Sequence, residues 1–182
     1  MNSHTLTLNN THVRYLSAGE DTTAPPLLLL HGGGTDSATL SWGGLLQPLA
    51  ETRRVFAPDL PGYGESDRPI APYSIPYYVD FVERFTAALG LGRFDLAGLS
   101  LGGGISLAYT LAHGEQVRRL ILVDTYGIQP DFPPQFLSYL FVHLPYMTEL
   151  TYWLIRSRPL ARATLRALIR TPEALPRTWS TR

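Results

Sequence analysis

The stretch FDLAGLSLGGG (94–104) places one serine hydroxyl, that of Ser100, between leucines and ahead of three glycines. A serine hydroxyl is a poor nucleophile unless it is held toward a base, and a sharp strand-to-helix turn does this by straining the serine backbone. Gly98 and Gly102 make such a turn sterically possible, and Gly103 allows the following helix to pack closely. The spacing predicts that Ser100 is a nucleophile on a tight turn.

Acyl transfer also needs backbone N–H groups that bind the developing oxyanion. The residue after the nucleophile, Leu101, supplies one such group, and a glycine-rich turn after a neighbouring strand usually supplies the other. The stretch LLLLHGGG has this form, and its polar part consists of His31, Gly32, Gly33 and Gly34. We therefore predict that the N–H groups of Gly33 and Leu101 form an oxyanion hole.

Short apolar runs alternate with longer segments of helical period, which is the order expected of a mostly parallel α/β sheet flanked by helices. An opening hairpin is predicted around Asn9 and Asn10. Strands are predicted at 26–30, 53–58, 93–98 and 118–124. Helices are predicted over much of 39–51, from Ser74 to about Gly90, and over about 100–113.

At this point the chain resembles the α/β-hydrolase family. Three motifs occur in the family's order, namely HGGG at 31–34, DLPGYGESDRP at 59–69 and GLSLGG at 98–103. The resemblance implies the α/β-hydrolase fold, a nucleophile at Ser100 and a helical cap inserted after the sixth strand. Epoxide hydrolases and haloalkane dehalogenases of this fold carry aspartate at the nucleophile position, so serine argues against both.

The domain prediction follows from a change of composition and sequence pattern near Asp131. Residues 1–131 read as the N-terminal part of the hydrolase core, and residues 132–182 read as a partial helical cap that is aromatic and interrupted by proline. A cap of this composition favours a small-molecule substrate with an apolar acyl or ring portion. Because the last strands of the fold are not found, we expect the chain to be incomplete at its C-terminal end.

The family places the catalytic histidine after the last strand. The five histidines of the chain are His4, His12, His31, His113 and His143. We predict that none of the first four serves as the base. His143 in the cap is free to approach Ser100, but nothing in the cap except Glu149 offers an obvious carboxylate to orient it. The triad histidine is therefore not found, and this chain by itself is expected to be inactive.

Acidic residues near the motifs leave two interpretations open. Asp124 ends a predicted strand and is read either as an ordinary strand-end residue or as the triad acid, which some hydrolases of this fold take from this place. Asp59 and Asp67 are read as turn and loop formers, with Arg68 placed to pair with either.

Composition excludes several functions. The sequence contains neither lysine nor cysteine, so a Walker-type phosphate loop, a Schiff base, thiolate metal sites and cysteine nucleophiles are absent. No cofactor or metal is implied. Residues 133–182 hold seven arginines against two acidic residues, which we read as a solvated helix face, with a phosphate or nucleic-acid surface as the alternative. We expect a cytoplasmic protein without nucleic-acid or membrane partners, and the sequence does not specify its oligomeric state.

Two other functions stay open. The first is a non-catalytic binding protein on the same fold. The second is a dinucleotide-binding domain, because GLSLGG differs from the fingerprint G-x-G-x-x-G by one residue. That fingerprint needs a glycine where Ser100 carries a Cβ, and it usually opens its domain, whereas four predicted strands precede it here. The sequence favours a serine hydrolase acting on an ester, an amide or an activated C–C bond next to a carbonyl.

Overall fold

The structure, a computed structural model, describes residues 1–20, 22–128, 156, 157 and 159. The elements within the described residues are β1 (Asn2–Leu8), β2 (Thr11–Ala18), β3 (Leu27–Leu30), α1 (Ala38–Leu49), β4 (Val55–Pro58), α2 (Ile75–Ala88), β5 (Phe94–Leu99), α3 (Leu101–Ala112) and β6 (Val117–Val123). Each lies where the sequence predicts an element of that type. The α/β fold class is confirmed.

The sheet formed by the described residues has the order β1-β2-β4-β3-β5-β6. The first two strands form an antiparallel hairpin, β2 pairs with β4 in antiparallel fashion, and the pairs from β4 through β6 are parallel. Asn9 and Asn10 connect the hairpin with φ of +46° and +62°, a left-handed conformation that asparagine tolerates better than most residues. This left-handed pair makes the tight hairpin turn that the sequence predicts.

Apolar side chains of the central strands point alternately to two cores, one on each face of the sheet. One core contains Leu28, Leu30 and Leu96 and is covered by α2 and α3. The other contains Leu27 and Leu29 and is covered by α1. The four residues of β3 are all buried, as expected of a strand with helices over both faces.

Side-chain caps set the starts of two helices. The Ser37 hydroxyl accepts from the N–H of Leu40 at the start of α1, and the Ser74 hydroxyl accepts from the N–H of Tyr77 at the start of α2. Beyond α2, Gly90 has a φ of +60°, the left-handed conformation that commonly ends a helix. The loops that precede these helices follow β3 and β4, and they lie at one edge of the sheet because the two strands are parallel.

An ionic cluster joins three strands at the opposite edge, where the parallel strands begin. Asp95 is 2% exposed and accepts from Arg53 at 2.6 Å and from Arg118 at 2.8 and 2.6 Å. Burial raises the pKa of Asp95, but the hydrogen bonds and positive charges of the two arginines outweigh it and hold the pKa below its ordinary value. The cluster therefore stabilises the junction of β5 with its neighbours while Asp95 is ionised.

The chain divides into two compact units, Met1–Pro130 and Asp131–Arg182. The predicted cap and its arginine face lie almost entirely outside the described residues, so the cap stays a prediction. Within the described part of the chain, no helix is both long enough and apolar enough to cross a bilayer.

Candidate active site

The carboxyl ends of three parallel strands meet at one edge of the sheet. Leu30 pairs with Gly98, and Leu99 pairs with Val123. The residues that follow these strands, His31, Ser100 and Asp124, therefore share that edge. This is the edge at which parallel α/β sheets hold their ligands.

Ser100 occupies the turn between β5 and α3 in a strained conformation. Its backbone has φ +49° and ψ −111°, a region that residues with a Cβ rarely adopt. Its N–H donates to the carbonyl of Val123 at 2.9 Å, and its carbonyl accepts from the N–H of Tyr126 at 3.0 Å. Ser100 precedes α3, yet its hydroxyl does not cap the helix and bonds no other described residue. The turn thus holds the backbone of Ser100 and leaves its Oγ available.

Close backbone packing explains the glycines around this serine. A Cβ at Gly98 would lie 2.2 Å from the carbonyl oxygen of Gly102, and one at Gly102 would lie 2.4 Å from that of Leu30. A Cβ at Gly103 would lie 2.6 Å from Oγ1 of Thr125. Real Cβ atoms do not approach this closely, so the turn requires glycine at all three positions.

The predicted oxyanion donors lie next to each other. A Cβ built on Gly33 would lie 3.6 Å from the Cβ of Leu101, and one built on Gly32 would lie 3.6 Å from the Cβ of Ser100. Leu101 begins α3, so its N–H has no partner within the helix. The N–H of Gly33 donates to no group in the described residues. Two N–H groups without a partner among the described residues therefore belong to segments that contact each other at Ser100.

His31 is fully buried beneath this loop, and both of its ring nitrogens are engaged. Nε2 accepts from the N–H of Leu60 at 2.9 Å, which assigns the proton to Nδ1, and Nδ1 donates to the carbonyl of Gly32 at 2.7 Å. Burial lowers the pKa of His31, against smaller raising effects of the Gly32 hydrogen bond, Asp36 and Asp59. His31 is thus a neutral part of the loop and not a base for Ser100.

A carboxylate that the sequence analysis missed holds the same loop. Asp36 accepts from the N–H of Gly32 at 2.8 Å, from the N–H of Ser37 at 2.7 Å and from the hydroxyl of Ser41 at 2.6 Å. An acidic residue just ahead of a serine N-cap is the signal in the sequence that could have found it.

The other described histidines lie far from Ser100. His4 and His12 belong to the hairpin, at least about 14 Å from β5 by strand spacing, and bond Ser17 and Thr7. His113 ends α3, about 20 Å away by helical rise, and stacks on Tyr109. His143 lies outside the described residues. None of the four described histidines is placed to act on Ser100.

Asp124 lies in the segment that is bonded to the backbone of Ser100, and no imidazole of the described residues is placed to bridge the two side chains. Asp124 directly follows β6, is exposed and has a φ of +46°. The Val123 and Tyr126 backbone bonds to Ser100 hold the segment of Asp124 next to that serine. The role of Asp124 as triad acid stays a prediction.

The interpretation that Arg68 pairs with Asp59 is wrong. Asp59 is buried and pairs with Arg14 at 3.3 Å, while it accepts from the N–H groups of Ala38 and Glu65. Arg68 instead donates to the carbonyl of Gly64 at 3.4 Å. Strand β2 brings Arg14 to Asp59, a contact that the local motif does not reveal.

A cavity of about 510 Å³ opens beside the glycine-rich loop after β3. It lies between residues 34–37 and 62–64, with Leu40 and Arg68 also in its wall. The hydroxyl of Tyr63 lies 3.7 Å from a Cβ built on Gly33, so the cavity adjoins the predicted oxyanion hole. Among the described residues, no group of histidine and acidic side chains is placed to hold a metal ion.

Two curated relatives from Pseudomonas are hydrolases. A 2-hydroxymuconate semialdehyde hydrolase of Pseudomonas sp. (strain CF600) is 42% identical over 105 residues, which are 57% of this chain and 37% of the relative. A 2-hydroxy-6-oxo-2,4-heptadienoate hydrolase of Pseudomonas putida is 37% identical over 105 residues, 57% of this chain and 38% of the relative. The chain thus spans less than two fifths of the length of these relatives.

A solved structure extends the likeness over most of the chain. It is a bacterial membrane phospholipase A, 33% identical, with a TM-score of 0.70 over 90% of this chain and 50% of that one. A family profile described as alpha/beta hydrolase fold matches residues 25–152, which is more than two thirds of the sequence. The two Pseudomonas relatives and the phospholipase A are hydrolytic enzymes. On the match to the family profile, the chain belongs to the α/β-hydrolase fold family.

Proposed function

We propose that the protein is a serine hydrolase in which Ser100 performs acyl transfer. The observation that carries the proposal is the strained turn at Ser100, whose Oγ does not cap α3. The turn lies against the glycine-rich loop after β3, and the N–H groups of Gly33 and Leu101 have no partner among the described residues. A strained backbone persists where the surrounding structure maintains it, and such residues cluster at active sites.

In the proposed reaction, Ser100 Oγ attacks the carbonyl carbon of the substrate and transfers its proton to a base. The resulting oxyanion accepts hydrogen bonds from the N–H groups of Gly33 and Leu101. Collapse of the tetrahedral intermediate breaks the bond to the leaving group, which takes up the proton. Water then hydrolyses the acyl-enzyme and regenerates the hydroxyl. The base is an imidazole outside the described residues, and Asp124 is the candidate acid that orients it.

The proposed substrate is a small molecule in which an ester, an amide or a C–C bond adjoins a carbonyl. The two Pseudomonas relatives favour the C–C bond, because the compound in the name of one is a 6-oxo dienoate, which has a ketone and neither an ester nor an amide to hydrolyse. An apolar portion of the substrate and a cytoplasmic location are predictions from the sequence.

The test uses a form of the protein that carries the proposed base. It compares hydrolysis of 2-hydroxy-6-oxo-2,4-heptadienoate and of p-nitrophenyl esters by the wild type, Ser100→Ala and Ser106→Ala of that form. Ser106 is a matched control, because it lies on α3, is fully buried and donates to the carbonyl of Gly102. We expect Ser100→Ala to lower kcat by up to about 10⁶-fold and Ser106→Ala to retain turnover. Equal rates for the wild type and Ser100→Ala would refute the proposal.

A binding protein on the same fold is the second candidate. It is favoured because three of the described histidines lie far from Ser100 and both ring nitrogens of the fourth, His31, are engaged. This candidate predicts that the wild type and Ser100→Ala bind the dienoate with equal affinity and that neither turns it over. Calorimetry together with the rate assay separates the two functions.

A further inference from the structure

We infer that Asp36 is a positioning residue that selects Gly33, rather than Gly32, as the oxyanion donor of the loop after β3. The inference rests on the proposed function of Ser100. It concerns a carboxylate that touches no reacting atom and acts through the backbone.

Three glycines in a row present consecutive N–H groups near Ser100, so the sequence does not determine which of them faces the oxyanion. In the structure the N–H of Gly32 is not available to an oxyanion, because it donates to Asp36 Oδ2 at 2.8 Å. A Cβ on Gly32 would lie 2.9 Å from the same oxygen, so the carboxylate fits only against a glycine. The next N–H along the chain, that of Gly33, is left for the substrate.

The carboxylate itself is held from the other side. Oδ1 accepts from the N–H of Ser37 at 2.7 Å, and Oδ2 also accepts from the Ser41 hydroxyl at 2.6 Å. Ser41 lies on α1, so the loop is tied to a helix that packs against the sheet. Hydrogen bonds to a charged acceptor are roughly twice as strong as neutral ones, which suits a clamp on a glycine-rich loop.

His31 holds the neighbouring peptide group. It donates to the carbonyl of Gly32, which shares a planar peptide with the N–H of Gly33. In a trans peptide the C=O and N–H point in opposite directions, so this bond also orients the N–H of Gly33. Asp36 fixes the peptide before it, and the loop has little freedom left between the two contacts.

The test uses the same base-carrying form of the protein and compares the wild type with Asp36→Asn and with Ser74→Ala. The asparagine amide removes the charge and one acceptor oxygen, so we expect kcat to fall by about 100-fold, as for a misplacement near 1 Å, with KM unchanged. Ser74→Ala deletes the cap of another helix, α2, where the hydroxyl accepts from the N–H of Tyr77, and leaves every contact of Asp36 in place. It should retain the wild-type kcat.

Hydrogen exchange provides a readout that does not need turnover. The N–H of Gly32 should exchange faster in Asp36→Asn and at the wild-type rate in Ser74→Ala. A wild-type kcat in Asp36→Asn, a rise of KM in its place, an equal loss of kcat in Ser74→Ala or unchanged exchange at Gly32 would each overturn the inference. If Ser100→Ala is as active as the wild type, the proposed function fails, and exchange at Gly32 still decides whether Asp36 holds the loop.

Discussion

The N–H of Leu60, in the loop after β4, donates to Nε2 of His31, in the loop after β3, across 2.9 Å. The bond joins two loops at the candidate site and exists only while Nε2 is unprotonated. The protonation state of one buried imidazole therefore controls the contact between these loops.

Stability should fall as the pH drops below about 6.5. The pKa of His31 is 6.5 in the unfolded chain and lower in the folded one, because burial disfavours the cation. Between these two values the unfolded state binds more protons, so acid favours unfolding. Urea denaturation of the wild type and His31→Gln should show a difference that is full above pH 6.5 and shrinks in acid. His4→Gln, at an exposed histidine, is the control and should follow the wild type; a constant difference for His31→Gln would contradict the prediction.

Adding one methyl group should have opposite effects at two helical glycines. Gly102→Ala brings a Cβ to 2.4 Å from the carbonyl oxygen of Leu30, and we expect a loss of about 1–3 kcal/mol together with lower activity. A Cβ at Gly44, an exposed position of α1, meets nothing within 4 Å, so Gly44→Ala should raise the free energy of unfolding by about 0.5–1 kcal/mol. Thermal unfolding of both variants measures the contrast, and similar stabilities would mean that α3 packs less closely than described.

Asp124→Asn should reduce activity while it preserves the fold. Asparagine tolerates the left-handed φ of +46° at this exposed position, so the change removes the charge without new strain. If Asp124 orients the base, kcat should fall by up to about 10⁴-fold. Glu115→Gln changes another exposed acid, before the start of β6, and should leave kcat unchanged. A wild-type kcat in Asp124→Asn would mean that Asp124 is an ordinary strand-end residue and not the triad acid.

The chain should self-associate through β6. This strand lies at an edge of the sheet formed by the described residues, and Ile121 and Val123 are 48% and 42% exposed. An edge with unpaired backbone groups and apolar side chains recruits other chains, and a lysine there opposes pairing. Light scattering across concentrations should show Ile121→Lys to be more monomeric than the wild type. Leu111→Lys alters an exposed leucine on α3, away from the edge, and should not; a wild type that is monomeric throughout would refute the prediction.

Local patterns were sufficient to predict the elements and the strained turn. Apolar runs mark the buried strands, Ser74 caps α2, and the spacing of the glycines around Ser100 marks the turn, although its contacts with Leu30 and Thr125 come from other parts of the chain. The side chains that support the site could not be predicted in this way. Arg14 reaches Asp59 across 45 residues, and Asp36 acts on a glycine four residues earlier through a loop whose shape depends on α1. Such partners depend on the folded arrangement of several elements.

Asp95 and Ser100 stand at opposite ends of β5, about 17 Å apart by strand rise. The ionic cluster and the strained turn therefore lie on the same strand but are not adjacent to each other. Substitutions so far apart, without shared partners, usually have additive effects on stability. Loops at the carboxyl edge can thus be exchanged to alter substrate choice while the arginine pair at the amino edge is left intact. This separation makes the scaffold suited to directed evolution by loop replacement.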